Sequence, residues 1–114
     1  MITKNNFKKE DIKSKNLTLV HFTTAWNGAS QIVSMIYEDL AGIFNGAAEF
    51  YTVDFEKESV LGKEYGIMES PTILFFKNGQ LVDHTVGLVS RIVLITKIEN
   101  ALQISDNDSK LYNH

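Results

Sequence analysis

The sequence predicts an α/β domain in which helices cover both faces of a central mixed β-sheet. Three observations lead to this prediction. Strand-like and helix-like segments alternate along the first half of the chain, an Asn-Gly pair joins two later strand-like runs, and a helix-spaced segment follows them. Strands separated by a helix can pair in parallel, whereas strands joined by a two-residue turn pair antiparallel. Right-handed crossovers then leave few topologies open.

The first half of the chain predicts a strand, a helix, a second strand and a second helix. Residues 17–22 (LTLVHF) form a short apolar run typical of a strand buried on both faces, so we expect this strand at the centre of the sheet. Residues 49–55 predict the second strand, and the acidic segment after it predicts a helix that ends at Gly66. The helix between them, over 28–45, is predicted by apolar residues at every fourth position: Ile32, Ile36, Leu40 and Phe44.

The second half of the chain predicts a hairpin and a final helix. Two strand-like runs follow Pro71 and meet at Asn78-Gly79, a strong hairpin signal. Residues 90–103 are rich in β-branched side chains, but their apolar spacing favours a helix with Ser90 as its N-cap. We also expect a short strand at 2–3 and a short helix at 6–13. One domain should occupy residues 1–104, followed by a disordered polar tail over 105–114.

Composition narrows the possible functions. The chain has 114 residues, of which 44% are hydrophobic, and a net charge of −3 with no basic block, which argues against nucleic acid as a partner. No segment resembles a signal peptide or approaches the ~20 apolar residues of a membrane span, so we expect a cytoplasmic protein without a membrane partner. The absence of cysteine excludes thiolate nucleophiles and disulfides. We expect no cofactor and no metal site, because His84 and His114 share no ligand spacing with His21.

Four segments in the same order resemble the thioredoxin family over about residues 2–103: LVHFTTAWNGAS, VDFEKE, YGIMESPTILFFKNG and TVGLVS. The resemblance implies a thioredoxin-like fold. It also places Asn27 and Ser30 where the family has its two active-site cysteines, Ala29 where the family has the proline between them, and His21 where it has a buried aspartate. We therefore expect no thiol–disulfide exchange, although the chain could be labelled a thioredoxin by resemblance alone.

The same resemblance implies a binding groove. In the family the proline that opens the third main strand is cis, so we expect a cis Ser70–Pro71 bond that leaves the backbone of Ser70 available to an extended peptide. The surrounding groove is expected to contain Trp26, Ala29, Gly87 and Leu88. The partner implied is a protein or an extended peptide segment, and the domain would be a binding module.

The candidate site residues allow other interpretations. Asn27 is well suited to capping the helix that begins after it, and the alternative is a helix N-terminus open to a carboxylate or phosphate. Ser30 and His21 could form a nucleophilic pair with hydrolytic activity, although a buried histidine more often fills space. A third possibility is an assembly domain whose helical faces form an oligomer. The sequence does not decide the oligomeric state.

Overall fold

The computed structural model describes residues 3–104, and this part of the chain folds around one mixed sheet. The strands lie in the order β2-β1-β3-β4, with β1 and β2 parallel and the other two pairs antiparallel. The predicted mixed α/β architecture is therefore confirmed. The elements are β1 (Leu17–Thr23), α1 (Gly28–Ile43), β2 (Ala48–Asp54), α2 (Ser59–Glu64), β3 (Thr72–Lys77), β4 (Gln80–Val86) and α3 (Arg91–Leu102).

The strand predicted to be central is central. Strand β1 lies between β2 and β3, and six of its seven residues are buried, so its apolar residues contribute to the packing on both faces of the sheet. The hairpin between β3 and β4 forms at Asn78-Gly79, where both residues have a positive φ, 54° and 80°. Asn and Gly tolerate that backbone region better than other residues do, which explains why the two strands turn here.

The two faces of the sheet carry separate hydrophobic clusters. Helices α1 and α3 pack on one face, against residues such as Leu19, Phe50 and Phe75. Side chains of α2 and of the N-terminal segment, Leu61 and Phe7 among them, pack on the other face. Helices thus cover both faces, as the sequence predicted. No helix in the described part of the chain is long and apolar enough to cross a membrane.

Helix α3 forms despite its β-branched residues, because its buried side chains, Leu94, Ile98 and Ala101, follow the helical period. Ser90 is its N-cap, and the Ser90 hydroxyl accepts a hydrogen bond from the backbone N–H of Val93 at 3.3 Å. At the other end, the Lys77 ammonium at the end of β3 donates to the carbonyl oxygens of Ala101 and Leu102 at 3.3 and 3.1 Å. Both ends of the last helix are therefore held by side chains.

The N-terminal predictions need correction. The helix expected at 6–13 is a single 3₁₀ segment, Lys9–Lys13, with no buried residue to stabilise a longer α-helix. The strand expected at 2–3 is observed as a single parallel bridge from Lys4 to Tyr51, at the outer edge of β2. Ile2 and the tail predicted over 105–114 lie outside the described residues.

Candidate functional site

Asn27 is the N-cap of α1. Its backbone is extended, with φ −90° and ψ 125°, and its side-chain oxygen accepts a hydrogen bond from the backbone N–H of Ser30 at 3.1 Å. A cap of this kind satisfies one of the four N–H groups that have no partner within a helix. The amide at this position therefore stabilises the start of the helix.

Three hydroxyl groups lie together beneath this cap, on Thr24, Ser30 and Ser70. The Thr24 and Ser70 oxygens are 2.9 Å apart, and the Ser30 oxygen lies 3.4 Å from Ser70 and 3.5 Å from Thr24. The Ser30 oxygen also accepts from the backbone N–H of Thr24 at 3.4 Å. We call these three residues the hydroxyl cluster. Its strongest contact joins Thr24 to Ser70, because hydroxyl hydrogen bonds are normally 2.5–3.0 Å long.

The Ser70–Pro71 segment lies directly beside Asn27. Its peptide bond is cis. The Asn27 amide nitrogen lies 3.5 Å from the Ser70 carbonyl oxygen, a long and weak hydrogen bond, and the Ser70 N–H has no partner among residues 3–104. Pro71 is buried, and its carbonyl oxygen accepts from the N–H of Gly87 at 2.7 Å. This bond fixes the loop that begins with Gly87 against the proline segment.

Two large apolar side chains near this segment are exposed to solvent. Trp26 is 72% exposed and Leu88 is 63% exposed, while Ala29 and Gly87 are half-buried. The Trp26 indole N–H donates to a carboxylate oxygen of Glu56, in the turn after β2. The ring is therefore tethered at its polar edge, and most of its surface remains accessible.

His21 lies on the central strand and is completely buried. Neither of its ring nitrogens has a hydrogen-bond partner among the described residues, and its ring packs 4.8 Å from that of Tyr37, measured between centroids. The Tyr37 hydroxyl lies within hydrogen-bond distance of the carbonyl oxygens of Leu19 and Tyr51, at 3.1 and 2.7 Å. Burial lowers the pKa of His21 from 6.5 to about 3, so the imidazole is neutral at physiological pH.

The structure does not assemble Ser30 and His21 into a nucleophilic pair. The Ser30 hydroxyl is engaged with Thr24 and Ser70, and the unpaired nitrogens of His21 accept nothing from it. Hydrolytic chemistry of this kind needs the base within hydrogen-bond reach of the nucleophile and a third group to orient the base. Neither condition is met, so the arrangement is a packed histidine below an independent hydroxyl cluster.

Two residues of the site were not identified from the sequence. Thr24 contributes the shortest contact of the hydroxyl cluster, and Glu56 tethers Trp26. Both contacts join positions far apart in the chain, so no local spacing indicates them. The described residues also contain no group of three His, Asp or Glu side chains that could hold a metal ion.

Comparisons with known proteins show the family to which this fold belongs. The thioredoxin family model matches residues 1–100. Thioredoxin 2 of Chlorobaculum tepidum is 31% identical over 97 residues, which cover 85% of this chain and 89% of that protein. Thioredoxin 1 of Nostoc sp. is 31% identical over 101 residues, which cover 89% of this chain and 94% of that protein. A mutant thioredoxin from Halobacterium salinarum NRC-1 has a similar structure, with a TM-score of 0.77 and 26% identity over 90% of each chain. The chain, with no cysteine in its sequence, belongs to the thioredoxin family.

Proposed function

We propose that this domain is a redox-inactive binding module that holds an extended protein segment in the groove formed by Trp26, Ala29, Ser70, Pro71, Gly87 and Leu88. The observation that carries the proposal is a cis Ser70–Pro71 segment beside Asn27, with Trp26 and Leu88 exposed, in a chain that has no thiol. An amide and a hydroxyl stand at positions 27 and 30, and neither can form a disulfide. A cytoplasmic location is part of the same proposal.

The backbone of Ser70 supports binding by strand addition. Its N–H is without a partner in the described chain, and its carbonyl is held only by the 3.5 Å contact from the Asn27 amide. An extended peptide that paired with Ser70 would accept a hydrogen bond from the free Ser70 N–H. At the Ser70 carbonyl oxygen, it would replace the weak contact from the Asn27 amide. Main-chain hydrogen bonds of this kind supply affinity in strand addition, while neighbouring pockets and apolar side chains supply specificity.

Trp26 and Leu88 support an apolar contact beside that backbone. Both are mostly exposed, and exposed aromatic residues often dominate the energy of protein interfaces. The tether from Glu56 reduces the rotamer freedom that Trp26 would lose on binding. A shallow groove without a covalent step should nevertheless bind modestly.

The binding half of the proposal is tested by capture of partners from the native organism's lysate. We compare the natural protein with a Trp26→Ala, Leu88→Asp variant and with an Ile43→Asp control, read out by mass spectrometry. Ile43 is 61% exposed and lies at the opposite end of α1, so its substitution changes a surface of similar character away from the groove. Partners held by the natural protein and the control but lost by the groove variant support the proposal. Identical partners for all three contradict it and favour an assembly role for the helical faces.

The redox half is tested by reduction of insulin with dithiothreitol as the electron donor. We expect the natural protein to give no rate above the uncatalysed reaction, because no thiolate is present to attack the disulfide. The Asn27→Cys, Ser30→Cys variant is the matched positive control and should give a measurable rate. Genuine turnover by the natural protein would contradict the proposal.

A further inference from the structure

A cavity lies at the carboxyl ends of the two parallel strands, away from the Ser70–Pro71 segment. It measures about 790 Å³ and is bounded by the ends of β1 and β2, the first turns of α1, the turn into α2 and the N-terminal segment. Pockets of ~300–1,000 Å³ are the usual size for small organic ligands. Crevices outside the carboxyl ends of parallel strands are also where open α/β sheets commonly bind ligands. We call this cavity the strand-end cleft.

The cleft exists because the residues at the end of β1 are small. Thr23, Thr24 and Ala25 follow one another where the strand leaves the sheet, and Ser34 faces them from α1. None of these side chains is large enough to fill the space between the two elements. Met35, on the rim, is 74% exposed, and its flexible side chain can adjust to an occupant.

The walls of the cleft offer two kinds of contact. Phe7, Val53 and Leu61 supply an apolar wall. Hydroxyl groups face the same space: Thr23 and Ser34 lie 3.3 Å apart, and Thr52 donates to Thr3 at 3.0 Å. Each hydroxyl carries one donor and two acceptor lone pairs, so these contacts leave further hydrogen-bonding capacity for a ligand.

The charges around the cleft disfavour an anion. Lys57 is its one cationic lining residue within the described chain, whereas Asp54 and Glu58 supply two carboxylates. Asp54 already accepts hydrogen bonds from the N–H groups of Glu56 and Lys57, at 3.0 and 3.1 Å. At the nearby N-terminus of α1, the Asn27 side chain already occupies the N–H of Ser30. A phosphate or carboxylate would therefore face a small excess of negative charge.

We propose that the strand-end cleft binds an uncharged amphipathic small molecule, in which an apolar or aromatic skeleton carries hydroxyl or amide groups. The skeleton packs against Phe7, Val53 and Leu61, and the polar groups bond to Thr23, Ser34 and Thr52. This site shares no residue with the proposed peptide groove and does not depend on it. The hydroxyl of Thr24 nevertheless touches both regions, since it bonds to Ser70 and also lines the cleft.

The test is titration of the isotope-labelled protein, followed by NMR, with uncharged aromatic amides and alcohols of fragment size, each paired with its carboxylate or phosphate analogue. N-acetyltyrosinamide and N-acetyltyrosine are one such pair. We expect the uncharged members to shift the signals of Thr23, Ser34 and Lys57 at millimolar concentrations, at least threefold more than the charged members do. Intermolecular nuclear Overhauser effects to the methyl groups of Thr23 and Thr52 should place the ligand in the cleft.

The variant Ser34→Leu puts a larger side chain into the cleft and should reduce these shifts at least fivefold. Thr96→Leu is the matched control, since it makes a similar exchange at an exposed position of α3 outside the cleft. Loss of binding in Ser34→Leu but not in Thr96→Leu supports the site. If the charged analogues bind as strongly as the uncharged fragments or more strongly, the proposed preference for uncharged ligands is wrong. If no fragment shifts the cleft signals or gives these Overhauser effects, the cleft is not a binding site for this class of ligand. This outcome is decisive even if Ser34→Leu fails to fold.

Discussion

Ser30 and His21 are both completely buried on the α1 side of the sheet, yet their polar atoms are in opposite situations. The Ser30 hydroxyl makes long polar contacts with the hydroxyls of Thr24 and Ser70, at 3.5 and 3.4 Å. The two ring nitrogens of His21 have no partner in the described chain, and its closest ring neighbour is Tyr37. The fold therefore accommodates Ser30 by polar contacts with two hydroxyls, and it accommodates His21 by packing its ring against Tyr37.

The difference shows that burial alone does not indicate the role of a polar residue. A buried polar group without a hydrogen bond costs about 1–3 kcal/mol, whereas a paired group can be close to neutral. Ser30 can be regarded as part of the structure that supports Asn27 and Ser70. We expect the two unpaired nitrogens of His21 to cost stability, and the cost of burying the imidazole should depend on pH.

The largest expected effect is the pH dependence caused by His21. The unfolded chain takes up the histidine proton near pH 6.5, whereas burial lowers the pKa of the folded state to about 3. Below the unfolded pKa the unfolded state binds more protons, so stability is fully retained at higher pH and is lost as pH falls. The loss attributable to His21 should reach up to about 5 kcal/mol by the time the folded pKa is approached. Urea denaturation between neutral pH and about pH 4 should reveal about 3 kcal/mol of this loss, because pH 4 lies about 2.5 units below the unfolded pKa.

His21→Leu isolates this contribution from that of the carboxylates. The variant should lose the part of the pH slope that His21 causes, and at neutral pH it should be at least as stable as the natural protein, since it removes two unpaired buried nitrogens. His84→Gln, at an exposed position of β4, is the control and should keep the slope. Equal slopes in the natural protein and in His21→Leu would show that His21 is paired or hydrated in solution.

Asn27→Ala should have a smaller effect. It removes the side-chain oxygen that accepts from the Ser30 N–H, and losing an N-cap of this kind costs about 1 kcal/mol. Chemical denaturation at neutral pH measures the loss. Asn27→Ser, which keeps a capping oxygen, should recover most of it. If the two variants are equally destabilised, the cap is not what Asn27 contributes.

The smallest expected effect is that of Ser30→Ala. Its hydroxyl contacts are 3.4–3.5 Å long, beyond the normal range, so removing them should cost about 0.5 kcal/mol. Thr24→Val, which breaks the 2.9 Å contact to Ser70, is the companion variant and should cost more. A loss in Ser30→Ala that exceeds the loss in Thr24→Val would reverse our ranking of the cluster and would mean that Ser30 is its centre.

The elements of the fold could be predicted from the sequence because each has a local pattern. Helix α1 forms where its apolar spacing predicts a helix, and the hairpin follows Asn78-Gly79. The buried stripe of α1 differs from the predicted one, since Val33 and Tyr37 are buried and Ile32 is 50% exposed. Helix α3 was recognised against its strand propensity because spacing outweighed the preference of single residues. The N-terminal segment was predicted less well, since a short polar stretch cannot show whether it will form an α-helix or a 3₁₀ turn.

The site was predictable only in part. The capping role of Asn27 follows from its residue type and its place before a helix, whereas the tether between Trp26 and Glu56 joins positions 30 residues apart and leaves no local signal. The strand-end cleft is harder still to foresee. It results from a lack of side-chain volume around Thr23 and Ser34, and that lack is visible only when the elements are placed in space.

The contacts of Lys77 with the last turn of α3 have a consequence for how the domain unfolds. The last turn of a helix would ordinarily fray, because its final carbonyl groups face water and its macrodipole ends in uncompensated negative charge. Here an ammonium group from the middle of the sequence satisfies two of those carbonyls. Opening the end of α3 therefore breaks hydrogen bonds to Lys77 of strand β3. These bonds couple α3 to the sheet. The coupling favours cooperative unfolding of the domain over stepwise loss of structure from its C-terminal side.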